Sequence, residues 1–148
     1  MRFSWTGRQN MEACMKGGCN CGAVRFEVTG PVMGVIQCHC SLCRRYTGTA
    51  NISVVLAKRE DFHWLAGEDQ LTYWRHPDAD WESTFCKFCG SPAPGDNDAD
   101  RVFIPAGVLT DGADSLKVVH HIFVGSKASW DEIGDDGAQH DTRIGVKP

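Results

Sequence analysis

The sequence predicts a mainly β fold. Short runs of alternating or β-branched residues recur along the chain, separated by Gly, Pro and Asp-rich breakers. No segment sustains three turns of helical periodicity. Tight groups of cysteines fall at the ends of several of these runs, where a cross-link would hold short strands together.

Taken in order, residues 1–16 match no regular element, and Met11 and Met15 are alternative starts. This stretch reads as an N-terminal extension ahead of a single domain over residues 17–148. Gly17-Gly18-Cys19-Asn20-Cys21-Gly22 is a flexible turn, because glycine lets backbone approach a ligand closely. In the segment that follows, Val24, Phe26 and Val28 share one face of a half-buried strand, which Gly30-Pro31 ends. Residues 32–37 form a second strand leading into Cys38. One helical turn is expected over Ser41 to Tyr46, closed by Gly48, and then a buried strand over Asn51 to Ala57. Further strands are expected over Phe62 to Leu65, Leu71 to Arg75 and Trp81 to Phe85, the last running into Cys86-Lys87-Phe88-Cys89-Gly90. Residues 91–100 read as loop, and Arg101 to Leu109 and Leu116 to Val124 as strands. The polar tail from Trp130, with Asp131, Glu132, Asp135 and Asp136, reads as a solvated segment.

At 148 residues and 42% hydrophobic content the chain can bury one core. A net charge of −4 gives no electrostatic reason to bind nucleic acid, which calls for a basic face. No apolar run approaches the roughly 20 residues of a membrane span. The N-terminus lacks the continuous apolar stretch of a signal peptide. The expectation is a cytoplasmic protein that binds neither nucleic acid nor membrane.

Eight cysteines in such a chain point to metal rather than disulfides. Seven of them sort by spacing into Cys19 with Cys21, Cys86 with Cys89, and the triplet Cys38, Cys40 and Cys43. Two separated pairs supply the four sulfurs of a closed structural zinc. The triplet would hold a second zinc with one position open, as catalytic sites do. One intervening residue makes a Cys38–Cys40 disulfide geometrically poor. In an extended segment His39 points away from the two flanking sulfurs, so it reads as a surface or supporting imidazole and water or substrate as the fourth ligand. Cys14 pairs with nothing by spacing and reads as a bystander thiol. A redox reading of Cys86 and Cys89 lacks the βαβ context it needs.

Four stretches carry a resemblance. They are residues 17–26 around Cys19 and Cys21, residues 38–45 (Cys-His-Cys-Ser-Leu-Cys-Arg-Arg), residues 85–91 around Cys86 and Cys89, and residues 121–127 (His-Ile-Phe-Val-Gly-Ser-Lys). In this order they resemble the glutathione-dependent formaldehyde-activating family. The resemblance implies a zinc-stabilised β-sandwich of short antiparallel strands, Mss-four-like, shared with a small zinc-binding nucleotide-exchange protein of vesicle traffic. It implies two zinc ions: a structural one on Cys19, Cys21, Cys86 and Cys89, and a catalytic one on Cys38, Cys40 and Cys43. It also implies a carbon–sulfur lyase that joins a small thiol, glutathione, to an aldehyde, formaldehyde. Pro92-Ala93-Pro94-Gly95 and Ser129 depart from the family's usual pattern, in loops where substrate contacts concentrate.

Two other functions compete with the lyase: a non-enzymatic zinc module that binds a protein partner, and a thiol or redox sensor. The module predicts an exposed apolar patch and a triplet site that is empty or closed by a fourth protein ligand. The sensor predicts reversible oxidation of the triplet. His120 and His121 read as satisfied strand histidines, with a supporting role near the triplet open to His121. Trp64, Trp74 and Trp81 read as core, and Trp130 as a pocket wall.

Overall fold

The structure is a computed structural model that describes residues 14–146. One antiparallel sheet runs in the order β10 (Leu109–Asp111), β1 (Met15–Gly18), β2 (Arg25–Val28) and β5 (Phe62–Ala66). A second runs in the order β12 (Ala138–Gln139), β11 (Val118–Ile122), β3 (Val35–Cys38), β4 (Ile52–Lys58), β9 (Arg101–Pro105) and β8 (Gly95–Asp96). Strands β6 (Leu71–Arg75) and β7 (Glu82–Cys86) form a separate hairpin, and α1 (Ser41–Thr47) is the single α-helix among the described residues. The expected mainly β fold is present. Within it, β11 runs parallel to both β3 and β12, while the other pairs are antiparallel.

The two larger sheets face each other across one core. Met15, Phe26 and Val28 from the first meet Val35, Val55, Ala57, Val102 and Ile104 from the second. Burying an aliphatic or aromatic side chain of this kind contributes about 1.5–3 kcal/mol. Side chains alternate along a strand, so Ile52 and Val54 point away from this core. They pack with Cys38, Cys43, Tyr46, Trp81, Ile122 and Phe123 in a second cluster on the far face. Burial of both faces of β4 explains its apolar run from Val54 to Ala57.

Several expectations need correction. Most of the irregular stretch expected over residues 1–16 lies outside the described residues, but Met15 and Lys16 belong to β1. A strand holds there because Gly17 has no side chain: a Cβ would collide with the Phe26 ring and the Val108 carbonyl oxygen. The strand expected over Arg101 to Leu109 breaks after Pro105. A 3₁₀ turn over Ala106–Val108 then carries the chain across to the other sheet as β10. The loop expected over 91–100 contains β8. The tail is docked through its main chain, while Glu132, Asp135 and Asp136 stay exposed as expected. His140 N–H donates to His121 O at 2.8 Å, and Phe123 N–H donates to Thr142 O at 2.9 Å. Main-chain pairing of this kind needs no apolar anchors, so the polar composition conceals it. Trp64 packs on the main core and Trp81 on the second cluster, as expected, but Trp74 is 50% exposed. Among the described residues, no helix is long and apolar enough to cross a membrane.

Candidate functional site

The fold brings seven cysteines into two groups, and in each group the sulfurs lie within 4.8 Å of one another. Cys19, Cys21, Cys86 and Cys89 form the first. The turn between β1 and β2 carries Cys19 and Cys21, with Gly22 in the left-handed region at φ 78°. Cys86 ends β7 and is fully buried, and Cys89 follows in a tight turn that Gly90, at φ 73°, closes by donating to Cys86 O at 2.8 Å. The two turns are joined by Asn20 N–H donating to Ser91 Oγ at 3.0 Å. Separations of 3.5 Å between Cys19 and Cys21 and 3.8 Å between Cys21 and Cys86 match a thiolate tetrahedron, whose sulfurs sit about 3.8 Å apart for metal–sulfur bonds of about 2.3 Å. Val24 N–H donates to Cys19 Sγ at 3.3 Å, a bond that favours a thiolate. Hydrogen bonds from Ser91 hold the Cys89 thiol down at about 5.

Cys38, Cys40 and Cys43 form the second group. Cys38 ends β3, Cys40 is the N-cap of α1 and Cys43 lies in its first turn. Cys43 N–H donates to Cys40 Sγ at 3.4 Å, so the same bond caps the helix and supports a thiolate. Gly48 at φ 69° closes the helix, its N–H donating to Arg44 O. Hydrogen bonds from the Cys38 and Cys43 thiols pull Cys40 down to about 2. By holding its proton toward Cys40, Cys38 is itself pushed up to about 11, and Cys43 is likewise pushed well above its ordinary range. Every described cysteine is free, so neither group is bridged by disulfides. Cys14, expected as a bystander, lies in neither group; its thiol points at Glu27 Oε2, 3.7 Å away.

His39 is fully buried, not at the surface. It points away from the sulfurs into a chain of four side chains behind the triplet. His39 Nε2 lies 3.0 Å from His121 Nδ1, and His121 Nε2 lies 2.8 Å from Asp135 Oδ1. At the other end, His39 Nδ1 sits 3.2 Å from Asp131 Oδ2 without an aligned hydrogen bond. Two neutral imidazoles carry two N–H groups, enough for the two aligned bonds if both protons sit on Nε2. Burial, reinforced by His121, lowers the pKa of His39 against the pull of Asp131. The His121 hydrogen bond holds the Asp135 carboxyl below its ordinary range. Asp131, expected as a solvated acid, is largely covered, and Asp135 keeps its expected exposure while the docked tail brings it to His121. His120 is satisfied separately by His140, 3.0 Å away.

Cys38 and Cys43 open onto a cleft of about 790 Å³. Tyr46, Trp81, Phe103 and Phe123 supply its apolar wall, and Arg75, Arg101 and Arg143 stand among acids around it. Trp130, expected as a pocket wall, is 70% exposed and lies outside this lining. A second cleft of about 570 Å³ touches Cys19 but none of the triplet, and no charged side chain lines it.

The sequence pattern of the family described as "Glutathione-dependent formaldehyde-activating enzyme" matches residues 14–126. The chain belongs to this glutathione-dependent formaldehyde-activating family. A Halomonas elongata protein named "Putative glutathione-dependent formaldehyde-activating enzyme" is 29% identical over 82 residues, which cover 52% of this chain and 52% of the relative. The chain thus spans about half the length of that curated relative. A crystal structure of a Rhodobacter sphaeroides protein superposes with a TM-score of 0.53 at 25% identity, covering 66% of this chain and 89% of that one. The family match takes in both cysteine groups, His39 and His121, but ends before Asp131 and Asp135. It therefore covers the sulfurs and both imidazoles, and leaves out the carboxylates that hold those imidazoles.

Proposed function

We propose that this chain is a zinc-dependent enzyme of the carbon–sulfur lyase type, which reversibly joins a small thiol such as glutathione to an aldehyde such as formaldehyde. In this reading Cys19, Cys21, Cys86 and Cys89 hold a structural zinc, and Cys38, Cys40 and Cys43 hold a catalytic one. The observation that carries the reading is a triplet of convergent sulfurs, without a fourth protein ligand among the described residues, two of whose cysteines, Cys38 and Cys43, line a cleft. Both ring nitrogens of His39 face His121 and Asp131, so His39 is not that fourth ligand. When bound, zinc at the triplet supplies positive charge that favours a thiolate or polarises a carbonyl oxygen at neutral pH. The reaction forms one sulfur–carbon bond, and the proton leaving the thiol ends on the former carbonyl oxygen. Because addition also occurs without a catalyst, the gain comes from holding both reactants in the cleft at the sulfurs.

The family match supports the thiol and aldehyde classes. The free cysteines suit the reducing cytoplasm, where we place the protein. We take the chain from β1 onward as one unit of this family, preceded by an extension. The interaction-module reading finds exposed aromatic residues at Tyr73, Trp74 and Phe88, but no fourth protein ligand closes the triplet among the described residues. The test is exchange NMR of glutathione with labelled formaldehyde on metal-analysed protein. Acceleration over the spontaneous rate is expected, abolished by Cys40→Ser with the fold intact. No acceleration, or full activity in the variant, would overturn the proposal.

A further inference from the structure

We infer that Arg143 is a specificity-determining residue that anchors a carboxylate of the thiol substrate in the cleft beside the triplet; this rests on the proposed function. Three guanidinium groups line that cleft, and two of them have acidic partners. Arg75 lies 3.7 Å from both Asp80 and Glu82, and Arg101 lies 2.6 Å from Asp98. The remaining lining acid, Asp96, is 2.9 Å from Arg59. Arg143 has no carboxylate within 4.0 Å among the described residues. Around a cleft whose other charges are locally matched, it is the cation left for a ligand. A planar guanidinium is suited to grip a carboxylate with two parallel hydrogen bonds.

The backbone near Arg143 is fixed by an unusual turn. Phe123 is the one non-glycine residue among those described with positive φ, at φ 55° and ψ 38°. A left-handed phenylalanine persists only where its surroundings hold it, and such strain collects at functional sites. Here Phe123 N–H donates to Thr142 O at 2.9 Å, and Ser126 N–H donates to Phe123 O at 3.0 Å. The turn lays the Phe123 ring in the cleft lining and pins the tail at the residue before Arg143. The ring beside the sulfurs and the guanidinium on the tail would read a thiol with an apolar connecting chain and an anionic end.

The experiment compares glutathione, which carries carboxylates, with 2-mercaptoethanol, which carries none, in formaldehyde exchange. Arg143→Gln should raise KM for glutathione about tenfold or more and leave KM for 2-mercaptoethanol unchanged. Arg143→Lys should recover part of the loss. Arg75→Gln removes the same unit of charge from a guanidinium that already has acidic partners, and should leave the ratio between the two thiols as it was. Equal effects on both thiols, or equal effects of Arg143→Gln and Arg75→Gln, would overturn the anchor. Binding of S-methylglutathione, followed by tryptophan fluorescence, tests the anchor without turnover. Loss of that binding in Arg143→Gln supports the anchor even if exchange is never accelerated, and retention refutes it even if exchange is fast.

Discussion

Replacing His39 by Ala removes the centre of the four-residue chain behind the triplet. His39 is fully buried, and its Nε2 makes a 3.0 Å bond to His121 Nδ1. Leaving that buried nitrogen unpartnered costs about 1–3 kcal/mol. The contact with Asp131 at 3.2 Å is not aligned for a hydrogen bond, so its loss adds little. The vacated ring volume adds about 1–2 kcal/mol unless the site collapses. The total is about 2–5 kcal/mol, or about 6–20 °C in Tm at the roughly 3–4 °C per kcal/mol appropriate to a chain of this size. The assay is guanidinium unfolding of zinc-loaded protein with free zinc held constant, because binding to the native state also shifts the midpoint. A loss below about 1 kcal/mol with an unchanged denaturant slope would refute the view that this chain carries weight in the fold.

Zinc affinity at the triplet should rise steeply with pH. With Cys40 at about 2, Cys38 at about 11 and Cys43 higher still, the metal-free triplet holds two protons near neutrality. Raised thiol pKa values mean that protons compete with metal, so affinity falls on acidification, about a hundredfold per pH unit for two protons displaced. Competition titration against a chelator between pH 6 and 8 measures this, and a slope of three protons would contradict the low value at Cys40. Cys86→Ser should lower bound zinc and soluble yield together, as read by metal analysis; full zinc with normal folding would contradict the pairing of Cys86 with Cys19 and Cys21. Gly17→Ala should destabilise by about 1–3 kcal/mol through overpacking against Phe26 and the Val108 carbonyl, read as a lower denaturation midpoint.

Much of this arrangement was legible in the residues. Cysteine spacing separated the two sulfur groups, because thiol ligands must lie close in sequence or at strand ends to converge. Period-two patterning located β2, whose apolar and polar faces differ, and β-branched composition located β4, which is buried on both faces. What escaped was held by main-chain pairing or by distance. Met15 and Lys16 gave no strand pattern because two glycines follow them. Asp131 and Asp135 looked solvated because their histidine partners lie far back along the chain, at positions 39 and 121. The left-handed Phe123 has no signature in sequence, since that conformation normally selects glycine or asparagine.

The β6–β7 hairpin pairs with neither large sheet. Its ties to the frame include the Cys86 sulfur beside Cys21 and a hydrogen bond from Tyr46 Oη to Thr84 O at 2.9 Å. The same hairpin and its loop supply Arg75, Trp81 and Glu82 to the cleft. The four-sulfur group is therefore a rivet that fastens this hairpin to the frame. Draw the rivet, and a flank of the reaction chamber would slacken although nothing touching the reactants had been altered.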